Sequence, residues 1–431
     1  MRKGGPAGPV HAARVLTSPV APALPTPTTP PPDTAPAVAG EAPGLRVTWL
    51  GLRGLPGVQG GIETHAEQLC PRLAALGCRV TVLARAPYQP AGAAWRGVRL
   101  RRLWAPRHKH LETVVHTLLG VLHAGLVDRP DVLHLQAIGP ALWTPLARLL
   151  GLRVVLTHHG ADHARQKWGP LARAVLRAGE AAGARFAHEV VAISGGIVAD
   201  LARAHGRGAT LIPNGVPAPG PAPDPGLLAP FGLQPGRYAL LVGRLVPEKR
   251  HLDLIRAFAR ARLPGWKLAL VGAADHADAH AAQVLQAAAQ HAGVVCTGFR
   301  QGAALQALYA HAGVFVLPSS HEGQPIALLE ALSHGLPVIA SDIAPHLELG
   351  LPDGTLFPLG DIDALAERLR EAARRAPTPA ERAARRAWVL ARHDWDASAR
   401  ATLEVYQSAC ARAGGLGQAA HGAPAPQADG P

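Results

Sequence analysis

Two acids, Glu322 and Glu330, flank the start and middle of the segment Pro318 to Ser341, PSSHEGQPIALLEALSHGLPVIAS. Their spacing carries chemical meaning only if the backbone between them is fixed, and the punctuation predicts a short helix. Pro325 suits the first helical position, where its missing N–H has no partner to lose, and Ile326, Leu328, Leu329 and Leu332 form an apolar stripe. Gly335 suits the left-handed residue after the end, and Pro337 blocks continuation. The run Val338-Ile339-Ala340 reads as a buried parallel strand. Glu322 then lies in the loop entering the helix and Glu330 within it. A fully helical path separates the acids by about 12 Å. Paired glycosidase carboxylates stand about 5 to 9.5 Å apart, so hydrolytic acid/base work is disfavoured. The separation fits one acid at a sugar ring and the other at a ribose. A diphosphate between them would lie near the helix N-terminus, where free N–H groups favour anions.

The elements that must hold these acids alternate along the chain as in a parallel sheet. Leu45 to Leu50 reads as a strand, GLRGLPGVQGG as a Gly-rich loop, and Ile62 to Leu76 as a helix, the ligand-binding unit of a doubly wound α/β sheet. The loop lacks G-x-G-x-x-G, so dinucleotide binding is not supported. Gly60 and Gly61 allow close backbone approach by a ligand, with Glu63 and His65 beside that mouth. Apolar runs at Arg79 to Leu83, Val98 to Leu103, Val132 to Leu135, Val154 to Leu156 and Val190 to Ile193 continue the alternation. After the Pro-rich joint PAPGPAPDPG, strands are expected at Tyr238 to Val242, Leu268 to Val271, Val294 to Thr297 and Val314 to Leu317. Arg244 and Lys249 follow the first of these closely enough for both cations to converge on one anion, Arg as a fork and Lys as a point charge.

In this order the motifs GVQGGIETHAEQL, THHG, AISGGI, IPNGV, VGRLVPEKR and E-x7-E resemble the retaining glycosyltransferases of family GT4, over most of residues 45 to 411. The resemblance implies the GT-B fold, two Rossmann-like doubly wound parallel-sheet domains facing a cleft. It implies a nucleotide-sugar donor, with Glu322 at the sugar, Glu330 at the ribose hydroxyls, and Arg244 with Lys249 at the diphosphate. Gly323, Gln324, Pro325 and Ile326 fall in the donor-binding loop, and Gln324-Pro325 stands where many members have Phe-Gly or a similar pair. His159 matches the family's His before Gly, near the sugar or leaving phosphate, with His158 as its structural competitor. The Gly60-Gly61 loop lies at the cleft, and the Gly298-Phe299-Arg300 loop is where relatives hold the base. Ser194 and Asn214-Gly215 also match family positions, each equally readable as a cap or turn. ARQKWG resembles a stretch in some bacterial polysaccharide members.

At 431 residues and 48% hydrophobic content the chain supports two cores plus tails. The expected layout is a Pro-rich tail over 1–44, an acceptor-side domain over 45–217 and a linker over 218–229. A nucleotide-sugar domain follows over 230–390, then a crossing helix over 391–412 that contains Trp395, and a tail over 413–431. The start of the chain lacks the apolar core of a signal peptide, no stretch reaches a membrane span, and four dispersed cysteines fit a reduced, cytoplasmic protein.

The net charge of +13 belongs to the first half: residues 45–225 hold 21 Lys and Arg against 10 Asp and Glu, and residues 226–412 hold 19 against 17. Its densest part, WRGVRLRRLWAPRHKH from Trp95 to His110, includes Lys109. Basic residues beside interfacial Trp point to an anionic membrane surface or a lipid-pyrophosphate acceptor, against a solvated basic loop. Nucleic acid is disfavoured because no recognition motif accompanies the charge. Glu63, His65 and Lys109 are the acceptor-side candidates.

Sugar transfer builds negative charge on the departing diphosphate, which cations and helix N–H groups stabilise without a metal. Asp361-Ile362-Asp363 and Asp394-Trp395-Asp396 read as caps, so neither metal nor cofactor is expected. The reading is transfer with retention to a glycan or lipid-linked acceptor in cell-surface or exopolysaccharide synthesis, on the inner face of the membrane. A nucleotide-sugar hydrolase or epimerase on the same scaffold, and a non-catalytic nucleotide-sugar-binding protein, are the alternatives. The donor sugar, base and acceptor are left open.

Overall fold

The computed structural model describes residues 44–418 apart from 90, 91, 93, 107, 109, 110, 166, 167 and 275–278. Residues 44–418 belong to one compact unit, and within it are two sheets. The first contains β1 (Arg46–Leu50), β2 (Arg79–Arg85), β3 (Ala94–Trp95), β4 (Val98–Leu103), β5 (Val132–Gln136), β6 (Val154–His158), β7 (Glu189–Ala192) and β8 (Thr210–Leu211). Their spatial order is β3-β4-β2-β1-β5-β6-β7-β8, parallel except for β3 on β4. The helices between them are α1 (Gly61–Ala75), α2 (Glu112–His123), α3 (Thr144–Leu149), α4 (Pro170–Phe186) and α5 (Gly195–His205). Every residue of β5 and β6 is buried, the polar His134, Gln136, Thr157 and His158 included, because a strand inside a parallel sheet is covered on both faces.

The second sheet contains β9 (Tyr238–Val242), β10 (Lys267–Val271), β11 (Val294–Gly298), β12 (Val314–Leu317), β13 (Val338–Ser341) and β14 (Leu356–Phe357), in the order β11-β10-β9-β12-β13-β14. Its helices are α6 (His251–Ala261), α7 (Ala279–Ala289), α8 (Gly302–Ala310), α9 (Ile326–Ser333), α10 (Ala344–Glu348), α11 (Ile362–Arg374) and α12 (Pro379–Leu390). In both sheets the sequence order reverses beside the first strand, at β1 and β9. Such a switch point leaves a crevice at the carboxyl ends of the strands, where ligands bind in open α/β sheets.

The expected strands appear, most of them one or two residues longer; β3, β8 and β14, each of two residues, lacked a sequence signal. The helix predicted from Pro325 begins at Ile326, with Pro325 at the N-cap in an extended conformation. Gly335 has φ +73°, as its place after the helix requires. The joint is more ordered than its composition implies. Pro225–Phe231 forms a 3-10 turn, and Leu228 packs into the second core.

The chain then crosses back. In α13 (Trp395–Gln418), Trp395, Ala399, Thr402, Tyr406 and Ala409 recur every three or four residues and are buried. The four of these that are hydrophobic join the core of the first sheet. Each large side chain so buried contributes about 1.5 to 3 kcal/mol, so the last helix ties the second half to the first. It continues beyond residue 412, to Gln418.

Candidate active site

The second sheet supplies the charges. Lys249 ends a 3-10 turn, Pro247–Lys249, after β9, and its Nζ lies 2.6 Å from Oε1 of Glu322, in the loop between β12 and α9. Their side chains are 17% and 12% exposed, so the pair is shielded but reachable. Burial pushes the Glu322 carboxyl upward, yet the Lys249 ammonium, joined by His346 whenever that ring carries its second proton, outweighs it and holds the carboxyl below the ordinary carboxylate range. One turn into α9 and beyond, Glu330 accepts a hydrogen bond from the Tyr309 hydroxyl of α8 at 2.9 Å. Burial raises its pKa to about 7; the Tyr309 bond opposes the rise and the charge of Glu67, on α1, adds to it. Arg244 follows β9, and its charge reaches Glu63 of α1. Phe299, just past β11, is 38% exposed, and Arg300 lies over the Phe231 ring at 5.1 Å.

The first sheet supplies neutral rings. His159 follows β6, and its Nε2 lies 2.8 Å from Gln136 Oε1 at the end of β5. Burial, with the fields of His65, His134 and His158, lowers its pKa well below the ordinary value, so the ring is uncharged at neutral pH. His134 stands between Tyr406 Oη and Thr157 Oγ1, each at 2.7 Å, and Trp49 Nε1 donates to the same Tyr406 oxygen at 3.1 Å. His65 Nδ1 meets Asn214 Oδ1 at 2.8 Å, and its ring packs against those of Trp49, His159 and Trp395. His158, the competitor for the His159 role, pairs with Glu180 of α4 at 2.8 Å, which fits a structural part.

Several loop contacts close the seam between the sheets. A Cβ on Gly323 would stand 2.1 Å from the His159 carbonyl oxygen, so only glycine lets these loops meet. Gln324 Oε1 accepts from the Asn214 N–H at 2.5 Å. Gln59 pairs its amide with the Ala273 backbone, donating to the carbonyl at 3.0 Å and accepting from the N–H at 3.1 Å. Glu348 of α10 accepts from the Gly195 and Gly196 N–H groups at the start of α5, an anion at a helix N-terminus. Gln59 and Glu348 were not among the sequence candidates. Glu348 meets partners more than 150 residues away, and no local spacing signals such a contact.

Several expected roles change. Glu63 and His65 are 6% and 3% exposed and turn inward, Glu63 to Arg53 at 3.0 Å and His65 to Asn214. Gln324 directs its side-chain oxygen to the Asn214 N–H at the junction. Pro325 is buried at the N-cap of α9, and Ile326 joins the core of the first sheet. Gly60 is crowded, a Cβ there falling 2.1 Å from Glu63 Oε2, whereas Gly61 has open space around it. Lys109 lies outside the described residues. Asp361 caps α11 through the Ala364 N–H at 2.9 Å, and Asp363 pairs with Arg260, as surface roles require.

Residues 59–218 match the family described as Glycosyltransferase Family 4, and residues 236–375 match Glycosyl transferases group 1. This chain belongs to glycosyltransferase family 4. It is 29% identical over 401 residues to an alpha-maltose-1-phosphate synthase of Mycobacterium tuberculosis, covering 85% of this chain and all of that one. It is 32% identical over 190 residues to the GDP-mannose:cellobiosyl-diphosphopolyprenol alpha-mannosyltransferase of Komagataeibacter xylinus, 42% of this chain and 47% of that one. Anabaena HepE, solved in complex with UDP and glucose, superposes with a TM-score of 0.67 at 19% identity, over 84% of this chain and all of that chain. The two sheets facing one crevice are the GT-B fold, and the chain is a family 4 glycosyltransferase in sequence and architecture.

Proposed function

We propose that this glycosyltransferase moves a sugar, with retention of configuration, from a nucleotide-sugar donor to a glycan or lipid-linked acceptor in polysaccharide assembly. The observation that carries this reading is the Glu322–Lys249 pair at the carboxyl ends of β9 and β12, with Arg244 beside β9 and neutral His159 across the seam. In the proposed cycle Arg244 and Lys249 hold the diphosphate and stabilise the charge that grows as it leaves. Glu322 orients the sugar, Glu330 accepts the ribose hydroxyls, and Phe299 covers the base. His159, uncharged, offers a hydrogen bond to the transferred sugar without competing for the phosphate. The leaving phosphate takes the proton of the incoming hydroxyl on the same face, so no metal or second carboxylate is called on.

The relatives favour this class of donor and acceptor: one carries GDP-mannose and a diphosphopolyprenol in its name, and another was solved with UDP. For the acceptor side, Trp104 is 63% exposed beside Arg99 and Arg102, a basic and aromatic face suited to an anionic membrane surface on the cytoplasmic side. Among the described residues no helix is long and apolar enough to cross a membrane. A binding screen of UDP-, GDP- and dTDP-sugars, followed by transfer to membrane extract and assignment of the product's anomeric configuration, tests the proposal. Retained configuration is expected; an inverted linkage overturns the mechanism.

A further inference from the structure

Beneath the Glu322 loop lies a buried polar chain formed by Ser319 and Ser341, from the two ends of the Pro318–Ser341 segment, and by His346 beyond it. His346 of α10 is fully buried, and its Nδ1 lies 2.7 Å from the Ser341 carbonyl oxygen. A carbonyl only accepts, so the ring hydrogen sits on Nδ1 and the neutral imidazole presents a lone pair at Nε2. The Ser341 hydroxyl, at the end of β13, donates to the Ser319 carbonyl at 2.5 Å. Ser319 stands just before Glu322 at the end of β12, and both serines are fully buried. Ring, serines and the Glu322–Lys249 pair therefore form one packed assembly.

Among the described residues, no hydrogen-bond partner reaches His346 Nε2. Leaving a buried polar atom unpaired costs about 1 to 3 kcal/mol, and here the atom belongs to a ring close enough for its charge, when protonated, to act on Glu322. The groups that face the ring are few. Burial lowers its pKa, Glu322 and the Ser341 carbonyl raise it, and Lys249 lowers it again, leaving it below the ordinary histidine value. The ring is thus neutral while Lys249 belongs wholly to Glu322.

The proposed function gives Lys249 a second anion. When a diphosphate draws on the ammonium, Glu322 stays buried with less of its counter-charge, and a buried carboxylate that loses its partner is strongly destabilised. We propose that His346 is a positioning residue that takes up one proton at Nε2 as the donor's diphosphate engages Lys249, keeping Glu322 ionised and oriented toward the sugar. The proton comes from solvent, no covalent bond is made or broken, and the inference rests on the diphosphate reading of Lys249. His321 is the rival, since its field also touches Glu322 and its Nε2 is likewise buried. It sits at the loop seam, however, with Nε2 4.0 Å from where a Cβ on Gly160 would be, and there burial and Arg165 outweigh Asp162, Glu322 and Glu248, which favour its protonation.

The test is calorimetric titration of the full chain with UDP and with GDP near neutral pH, in two buffers of different ionisation enthalpy, which counts protons exchanged on binding. His346→Asn keeps a donor for the Ser341 carbonyl, and so the loop, but removes Nε2. Wild type is expected to take up about one proton more than His346→Asn, which binds about tenfold more weakly, while His321→Asn keeps the wild-type count. Binding with the same proton count in wild type and His346→Asn overturns the inference and leaves the donor reading intact, as does loss of the uptake in His321→Asn alone. If neither these nor dTDP binds wild type, the donor reading itself fails and takes the inference with it.

Discussion

The two faces of the cleft are built from opposite materials. On the second sheet, Glu322 is ionised against Lys249 and Glu330 is held near neutrality by burial. On the first, His65, His134 and His159 are stripped of charge by burial and engage hydroxyls, amides and one another's rings. A diphosphate needs fixed cations, whereas an acceptor hydroxyl and a sugar ring need directional hydrogen bonds with little net field. In the proposed function the contrast suits the donor to the second half. It also places the surplus positive charge of the first half away from the reaction: the neutral histidine cluster lies at the cleft, and the exposed arginines of β4 lie toward the sheet edge.

The contrast breaks most visibly at Glu322. Glu322→Gln is expected to cut transfer by about a thousandfold or more, while UDP or GDP binding changes severalfold at most, because the uncharged amide loses the sugar contact and leaves the cations in place. Initial rates and calorimetric titration measure the two sides. Lys249→Ala follows. It strands a buried carboxylate, so the variant loses about 3 to 5 kcal/mol of stability, and denaturant unfolding measures the loss.

Titration sharpens the comparison because the two faces respond to pH in opposite directions. Glu330 has a folded pKa of about 7 against an ordinary 4.5. Its acid form is favoured in the folded state, so its contribution is complete below about 4.5 and is lost as pH rises to about 7. His65 has a folded pKa of about 4 against 6.5, so its contribution is present above 6.5 and is lost as pH falls to about 4. Each is worth on the order of 1.4 kcal/mol per pH unit within its window. Melting temperatures across pH should show Glu330→Gln flattening the loss as pH rises from about 4.5 to 7 and His65→Gln the loss as pH falls from about 6.5 to 4. Neither variant altering its own limb contradicts the electrostatic contrast. The smallest effect is expected at the seam. Gln59→Ala removes the two-bond clasp on Ala273 and is expected to raise the donor KM about two- to fivefold with kcat nearly unchanged, as for a contact between the halves that does not touch the reacting atoms. Steady-state kinetics at varied donor concentration checks it.

Much of this was legible in the sequence, for physical reasons that differ by element. The strands were visible because strands buried on both faces are mostly apolar, as β12 is throughout and β6 is over its first three residues. The Glu322 and Glu330 positions were visible because a proline entry and a glycine exit fix a short helix almost unaided. Lys249 was legible as a cation at a strand end, but its partner, 73 residues away, was not. The inward turn of Glu63 and His65 was hidden because each depends on a neighbour that only folding supplies, Arg53 from the preceding loop and Asn214 from the domain junction. The bond from the Asn214 N–H to the Gln324 side-chain oxygen was hidden for a similar reason, its partners standing 110 residues apart. Contacts of this kind have no period and no local composition, so they emerge only when the two sheets meet.

The most direct test of the account is turnover of a nucleotide-sugar identified by the binding screen, followed with and without acceptor extract. The account predicts that sugar leaves the nucleotide only when acceptor is present and appears in the product in its original anomeric configuration. Consumption of donor at the same rate without acceptor would contradict it and identify the cleft as that of a hydrolase.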